Sequence, residues 1–281
     1  MTEKIHVLLP VHNRKETTRR FVECLRAQTY SNFHLILIDD GSIDGTAEMV
    51  VESIPGATVI RGTGAWWWAG SLQRGLDWLR AAKPVAEDAV LFINDDVVFD
   101  SDFLGTALEV LHKHPKAMLL SRLRDPETGK VQESGVHADF RNLTFEIASN
   151  PDEVNCLSTR GLFIRWGDVM TIGGFHPRLL PHYLSDYEYT IRGRKRGLTC
   201  VTSECVFVVP DRSKTGFHDF KGDDFKTFMS RYLSRKSASN PVYWSLFMVL
   251  AAPFPWKLIN LFRIWRGVVK AVYLKARATP S

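Results

Sequence analysis

No Asp or Glu occurs from Phe225 to the C-terminus of this 281-residue chain, although 31 of them stand before it. The same stretch holds ten of the 36 Lys and Arg, so the formal charge of +5 combines a slightly acidic body with a purely basic tail. A nucleic-acid-binding protein carries its basic charge on the folded domain, so no nucleic-acid partner is expected. Cysteine is scarce: Cys24, Cys156, Cys200 and Cys205 form no C-x-x-C and no paired metal spacing, which reads as free thiols in a reducing cytoplasm. A run of about twenty apolar residues, the length that spans a bilayer, is also missing. The uncharged apolar stretch of residues 241–256 is interrupted by Pro253 and Pro255. The N-terminal MTEKIHVLLPVHNRKE has too short an apolar run for a signal peptide. There is no glycine fingerprint at the first strand-to-helix turn, which argues against a dinucleotide dehydrogenase. Internal repeats and low-complexity linkers are absent. What remains, 45% hydrophobic and 24% charged, is the composition of a soluble globular protein.

The first hundred residues alternate buried-strand and helix patterns. IHVLLPV (5–11), HLILIDD (34–40), ATVIRG (57–62) and AVLFIND (89–95) read as strands. Helices are predicted over 14–28, with Asn13 as N-cap, over 46–53, capped by Asp44 or Thr46, and over 69–82. This alternation predicts an α/β fold with a mostly parallel central sheet flanked by helices, a Rossmann-like nucleotide-binding half. In the middle region helices are expected over 102–114, 165–175 and 185–197, and strands near 117–121, 131–148, 155–165 and 198–210. Residues 1–224 are taken as the catalytic body, with 1–100 binding donor and 101–224 binding acceptor, and 225–281 as the tail.

Ligands of such sheets sit beyond the carboxyl ends of the strands, and polar clusters stand there. Asn94-Asp95-Asp96 closes an apolar strand. Two adjacent carboxylates suit a hard divalent cation, or they cap the following helix. Asp39-Asp40-Gly41-Ser42 offers a carboxylate to a base or ribose, or is a plain β-to-α turn. Trp66-Trp67-Trp68 cannot all face inward, so at least one is exposed or lines a cleft, where indole packs well on sugar rings.

PVHNRKETTRRFVECLRAQTYSNFHLILIDDGSIDGT resembles the opening of the family 2 glycosyltransferases, which have the A-type nucleotide-diphospho-sugar transferase fold. GTGAWWWAGSLQRGL (62–76) resembles the tryptophan-glycine segment of a bacterial rhamnosyltransferase-like branch. FINDDV (92–97) is similar to the family's acidic metal motif, and GGFHPRLLPHYLSDYEYTIRGRKRG (173–197) to its acceptor and base segment. The resemblance implies that Asp40 contacts the nucleobase and that Pro10 and His12 line its pocket. Arg14, Gln73 and Asp95 fall among the nucleotide-sugar-binding residues, and Asp96 ligates Mg2+ or Mn2+. Asp186 matches the inverting base. Where the family often reads Glu-Asp-x-Asp this chain reads Ser185-Asp186-Tyr187-Glu188, which leaves Glu188 as the reserve base and an acceptor-side residue. Arg192 matches the family's helix arginine and is spaced to pair with Glu188. Trp67, His182 and Tyr183 are the remaining acceptor-side candidates. His218 is either a third metal ligand on a closing segment or a surface histidine, with Arg212 and Lys214 near enough in sequence to meet the diphosphate.

In the tail, residues 241–256 read as re-entrant or interfacial. Beyond them Arg263, Arg266, Lys270 and Arg277 share a helical sector of roughly 60°, opposite apolar residues. That pattern suits a helix lying in an anionic membrane surface; a helix docked on the body and a homodimer helix are the alternatives. The implied function is metal-dependent inverting transfer of a sugar from a nucleotide-diphosphate donor to a lipid-linked or oligosaccharide acceptor in cell-surface polysaccharide synthesis. The expected location is the cytoplasmic face of the membrane, peripheral or monotopic. The rival readings are a nucleotidyltransferase of similar fold and a non-catalytic membrane adaptor.

Overall fold

The computed structural model describes residues 3–211 and 224–278. The strands are β1 (Ile5–Val11), β2 (Phe33–Asp39), β3 (Thr58–Arg61), β4 (Ala89–Phe92), β5 (Val97–Val98), β6 (Ala117–Arg124), β7 (Val131–Glu133), β8 (Val136–Asp139), β9 (Thr144–Ile147), β10 (Leu162–Arg165) and β11 (Thr199–Pro210). The α-helices are α1 (Lys15–Arg26), α2 (Thr46–Ser53), α3 (Trp67–Ala82), α4 (Phe103–Lys113), α5 (Trp166–Ile172), α6 (Ser185–Lys195), α7 (Phe225–Tyr232), α8 (Pro241–Ala251) and α9 (Trp256–Ala278).

The main sheet runs β3-β2-β1-β4-β10-β6-β11-β5, with β7 on β6. Its first four strands are parallel, as the strand–helix alternation predicts; β10 then runs antiparallel to both β4 and β6, so the second half is mixed. Alternate residues serve the two faces. Ile5, Val7 and Leu9 of β1, with Leu35 and Leu37 of β2, pack under α1, α2 and α4, whereas Leu8, Ile36 and Ile38 pack under α3, α5 and α6. Burial on both sides explains why these strands read as continuous apolar runs.

β1 lies at the switch point between the β2 side and the β4 side of the sheet. Its ladder with β4 ends at Leu8↔Phe92, while pairing with β2 continues to Val11↔Asp39. Pro10 has no N–H to offer, and beyond it the strand ends part. The crevice that results is where an open α/β sheet receives ligand.

A third apolar cluster joins the β8–β9 hairpin, α6 and the tail. Phe247 and Met248 of α8 are fully buried with Val136, Cys156, Leu184 and Ile191. Lys195 donates to the Ala251 carbonyl at 2.6 Å, and the buried Asn260 of α9 donates to the Phe140 carbonyl at 2.7 Å. α8 is therefore docked on the body. Its sequence could not show this, because an uncharged helix suits a protein groove and a bilayer equally well. Among the described residues no helix is long and apolar enough to cross a membrane.

Candidate active site

The carboxyl ends of β1, β2 and β4 and the N-termini of α3 and α6 bring the sequence-predicted residues to one side of the sheet. Asp40 follows β2 and is 6% exposed. Its Oδ1 accepts from the Gly64 N–H at 2.8 Å, and its Oδ2 from the Trp66 and Trp67 N–H groups at 2.8 and 3.2 Å. The Asp40 carbonyl oxygen lies 2.6 Å from His12 Nδ1. Asp40 thus holds the 62–67 loop and the start of α3 with charge-assisted bonds, which are the stronger kind. Gly62 permits this approach, since a Cβ there would stand 2.5 Å from Asp40 Oδ1. Trp67, at φ +58°, occupies the left-handed region that a bulky residue enters only when its surroundings hold it; the Asp40 bonds supply that hold.

The three tryptophans divide their tasks. Trp68 donates from Nε1 to Thr159 Oγ1 at 2.9 Å and packs on the core. Trp66 packs on the same core and carries the Arg74 guanidinium 5.3 Å from its ring centroid. Trp67 meets the His182 ring edge-on at 5.8 Å, and His182 meets Tyr183 at 4.5 Å.

Asp95 and Asp96 follow β4. Thr18 of α1 donates to Asp95 Oδ2 at 2.9 Å, and Arg14 Nε lies 3.1 Å from Asp95 Oδ1, with its NH2 3.5 Å from Asp96 Oδ2. Burial pushes the Asp95 carboxyl up to about 6, opposed by Arg14 and Thr18 and reinforced by the Asp96 charge. Asp96 Oδ1 is buried and takes no hydrogen bond. An orphaned carboxylate oxygen beside a second carboxylate fits a hard cation. Among the described residues no three His, Cys, Asp or Glu side chains converge on one point, so other ligands must complete a coordination shell there. The Asp96 carbonyl accepts from the Asp211 N–H at 2.8 Å, and Arg20 reaches Asp211 Oδ2 at 2.5 Å. His218, Arg212 and Lys214 lie outside the described residues.

Asp186 stands in the first turn of α6, where Leu184 enters at φ +67°. Its Oδ1 accepts from the Tyr187 N–H at 3.0 Å, and among the described residues no side chain donates to it. Burial raises its carboxyl to about 6; the backbone donors pull the other way, and Glu133 adds to the rise. Glu188, two residues on, is 3% exposed and gripped through both oxygens by Arg192, at 2.9 Å each. Arg192 also donates to the Ile172 and Gly174 carbonyls at 2.6 and 2.8 Å. The pair is a structural clamp on the 172–174 turn that engages both Glu188 oxygens. Gln73 is similarly engaged: its Oε1 accepts from the Phe175 N–H at 2.7 Å and its Nε2 donates to Asp77 at 2.7 Å. It ties α3 to the segment leading to Asp186.

Asn13 does not cap α1. The Lys15 N–H donates to Asp44 Oδ2 at 2.9 Å, and Asn13 instead accepts from the Ile43 N–H at 2.9 Å. Thr18 was not anticipated, yet its spacing with Phe21, Val22 and Leu25 puts it on the buried face of α1, where a lone hydroxyl requires a partner.

The profile of glycosyl transferase family 2 matches residues 6–164, more than half of the chain. The chain belongs to this family. It is 25% identical over 226 residues to an N-acetylglucosaminyl-diphospho-decaprenol L-rhamnosyltransferase of Mycobacterium tuberculosis, covering 70% of this chain and 72% of the relative. Among solved structures it resembles S. aureus TarS 1-349 (TM-score 0.60, 13% identity), covering 89% of this chain and 64% of that one; the same TarS fragment is also known with UDP-GlcNAc. It further resembles the mannosyltransferase PcManGT of Pyrobaculum calidifontis in complex with GDP-Man and Mn2+ (TM-score 0.58, 17% identity), covering 99% and 76%. These likenesses place the chain in the A-type glycosyltransferase fold.

Proposed function

We propose that this glycosyltransferase moves one sugar, with inversion, from a nucleotide-diphosphate donor to a lipid-linked acceptor, with Asp186 as the base. The observation that carries the reading is the presence of two unlike carboxylates, one at the strand ends and one at a helix start. Asp96 presents an orphaned oxygen at the strand ends, and Asp186 presents a carboxylate free of side-chain partners at a helix start.

The acceptor hydroxyl oxygen attacks the anomeric carbon of the donor as the bond from that carbon to the diphosphate oxygen breaks. The bonding pair leaves with the diphosphate, and the hydroxyl proton passes to Asp186. Attack opposite the leaving group inverts the anomeric centre, and no covalent enzyme intermediate is needed. A divalent cation, Mg2+ or Mn2+, held by Asp96 with Asp95 beside it, supplies charge neutralisation for the leaving diphosphate. Arg14, poised between the two acids, adds a fixed positive charge at the same place. Asp40 shapes the donor pocket by holding the 62–67 loop, and His12, fixed to its carbonyl, lines the rim with Pro10. Trp67 offers an indole face for a sugar ring.

The exposed apolar residues of α9 support attachment to the cytoplasmic face of a membrane. Leu258, Phe262, Trp265, Val269 and Tyr273 are all exposed and fall within a sector of roughly 80°. The sector of Arg263, Arg266 and Lys270 adjoins it, and Asn260, Leu261 and Ile264 turn to the body. An apolar stripe edged with arginines suits an anionic lipid surface.

The variant Asp186→Asn tests the base. Donor affinity by calorimetry should be unchanged while transfer falls by about two to four orders of magnitude. Wild-type kcat should rise with pH through about 6 and then level, since the base acts as carboxylate. The sign for stability is opposite. A folded-state value above the ordinary 3.8 means that ionisation above pH 6 opposes folding. The Asn variant should therefore melt higher than wild type at pH 8, with the gain lost by pH 4. Full transfer by Asp186→Asn rules out the assignment.

A further inference from the structure

The basic segment between α7 and α8 is a built part of the site. Asn240 ties it together: its Nδ2 donates to the Leu233 and Ser234 carbonyls at 2.8 and 3.1 Å, and its Oδ1 accepts from the Val242 N–H at 2.9 Å. The Ser237 N–H donates to the Ser234 carbonyl at 3.1 Å, Trp244 Nε1 donates to the Ala238 carbonyl at 2.8 Å, and Ser237 is 2% exposed. This compact turn sets the exposed Lys236 over Trp67, with Nζ 5.9 Å from the ring centroid. Edge-on to the same Trp67 ring stands His182, whose Nδ1 is buried without a partner. Ser185, next to Asp186, donates from Oγ to the His182 carbonyl at 2.6 Å, which ties this group to the base. Burial and the Lys236 charge both hold His182 below its ordinary value, so at neutral pH it is a neutral imidazole. No carboxylate among the described residues pairs with Lys236.

An ammonium without a carboxylate partner and an orphaned imidazole nitrogen, both set at one indole, match an anion joined to a sugar ring. We propose that Lys236 and His182 bind the diphosphate of a lipid-diphosphate-linked acceptor whose sugar packs on Trp67, an inference that rests on the acceptor reading above. The direction is consistent with the molecule's layout. The donor diphosphate belongs at Asp96, at the strand ends, whereas Lys236 stands on the chain leading into α8 and the exposed stripe of α9, where a lipid tail would enter the bilayer. Lys236 would thereby set acceptor specificity without touching the reacting atoms, and the M. tuberculosis relative carries a diphosphate acceptor in its name.

The test compares two acceptors under saturating donor: N-acetylglucosaminyl diphosphate on a short isoprenoid chain, and the N-acetylglucosaminide of the same isoprenol without phosphate. Wild type should favour the diphosphate acceptor in KM by at least about tenfold, the scale of one charge-assisted contact. Lys236→Gln should erase most of that preference through KM, with kcat and the phosphate-free acceptor unchanged, and Lys236→Arg should restore it. An undiminished preference in Lys236→Gln overturns the proposal, as does an equal loss on both acceptors, which marks a structural role. Binding to phosphatidylglycerol vesicles should be the same in wild type and Lys236→Gln. Weaker vesicle binding with the acceptor preference intact assigns Lys236 to bulk lipid headgroups and overturns it too. If wild type glycosylates neither acceptor while donor binds, the acceptor reading itself fails, and this inference with it.

Discussion

Asp40 shows at the scale of one residue how a family motif acquires a physical duty. The acid pair after β2 was legible in the sequence, but the destination of its charge was not. Three backbone N–H groups of residues 64–67 converge on its carboxylate, and nothing in the spacing of 39–42 and 62–68 announces that meeting. Asp40→Ala leaves those donors without an acceptor, a cost on the order of 2 kcal/mol, and releases Trp67 from its left-handed conformation. The expected outcome is a lower Tm with a shift in tryptophan emission; an unchanged spectrum and Tm refute the duty assigned to it. Glu188 carries the converse lesson. As an acid two residues from Asp186 it qualified for chemistry, and the i,i+4 arginine that engages it was already visible at Arg192.

At the scale of elements, the donor half was the most legible. Buried strands there alternate with helices, and each apolar run is long enough to read without knowledge of its neighbours. The acceptor half was less so, because β10 inserts antiparallel between β4 and β6, a pairing over long sequence distance that no local pattern encodes. The tail reads as amphipathic in α9 and as interfacial in α8, yet apolar side chains of α8 pack beside α6. That distinction decides how membrane attachment must be tested. Deleting everything after Ser237 would strip Phe247 and Met248 from the body, at about 2–5 kcal/mol for each large side chain lost. Replacing Phe262, Trp265 and Val269 with Glu alters only exposed positions. This triple variant should keep the wild-type Tm and lose binding to anionic liposomes in a flotation assay. Retained binding removes α9 as the anchor.

At the scale of the whole molecule, the opening charge asymmetry resolves into two surfaces of one body. The strand ends carry the acid pairs, and the acid-free tail supplies both a docked helix and a basic, apolar-striped one. Between them lies Asp186, on a helix packed against the central sheet on one side and α8 on the other. The most direct test of this account is the product itself. A panel of nucleotide-diphosphate sugars, each with the diphosphate-linked N-acetylglucosaminyl acceptor, is incubated with and without Mn2+, and the product is read by mass and by proton NMR at the new anomeric centre. The account predicts that one donor adds a single glycosyl unit, only with metal present, and with the configuration opposite to that in the donor. A product of retained configuration, or equal transfer in excess chelator, contradicts it.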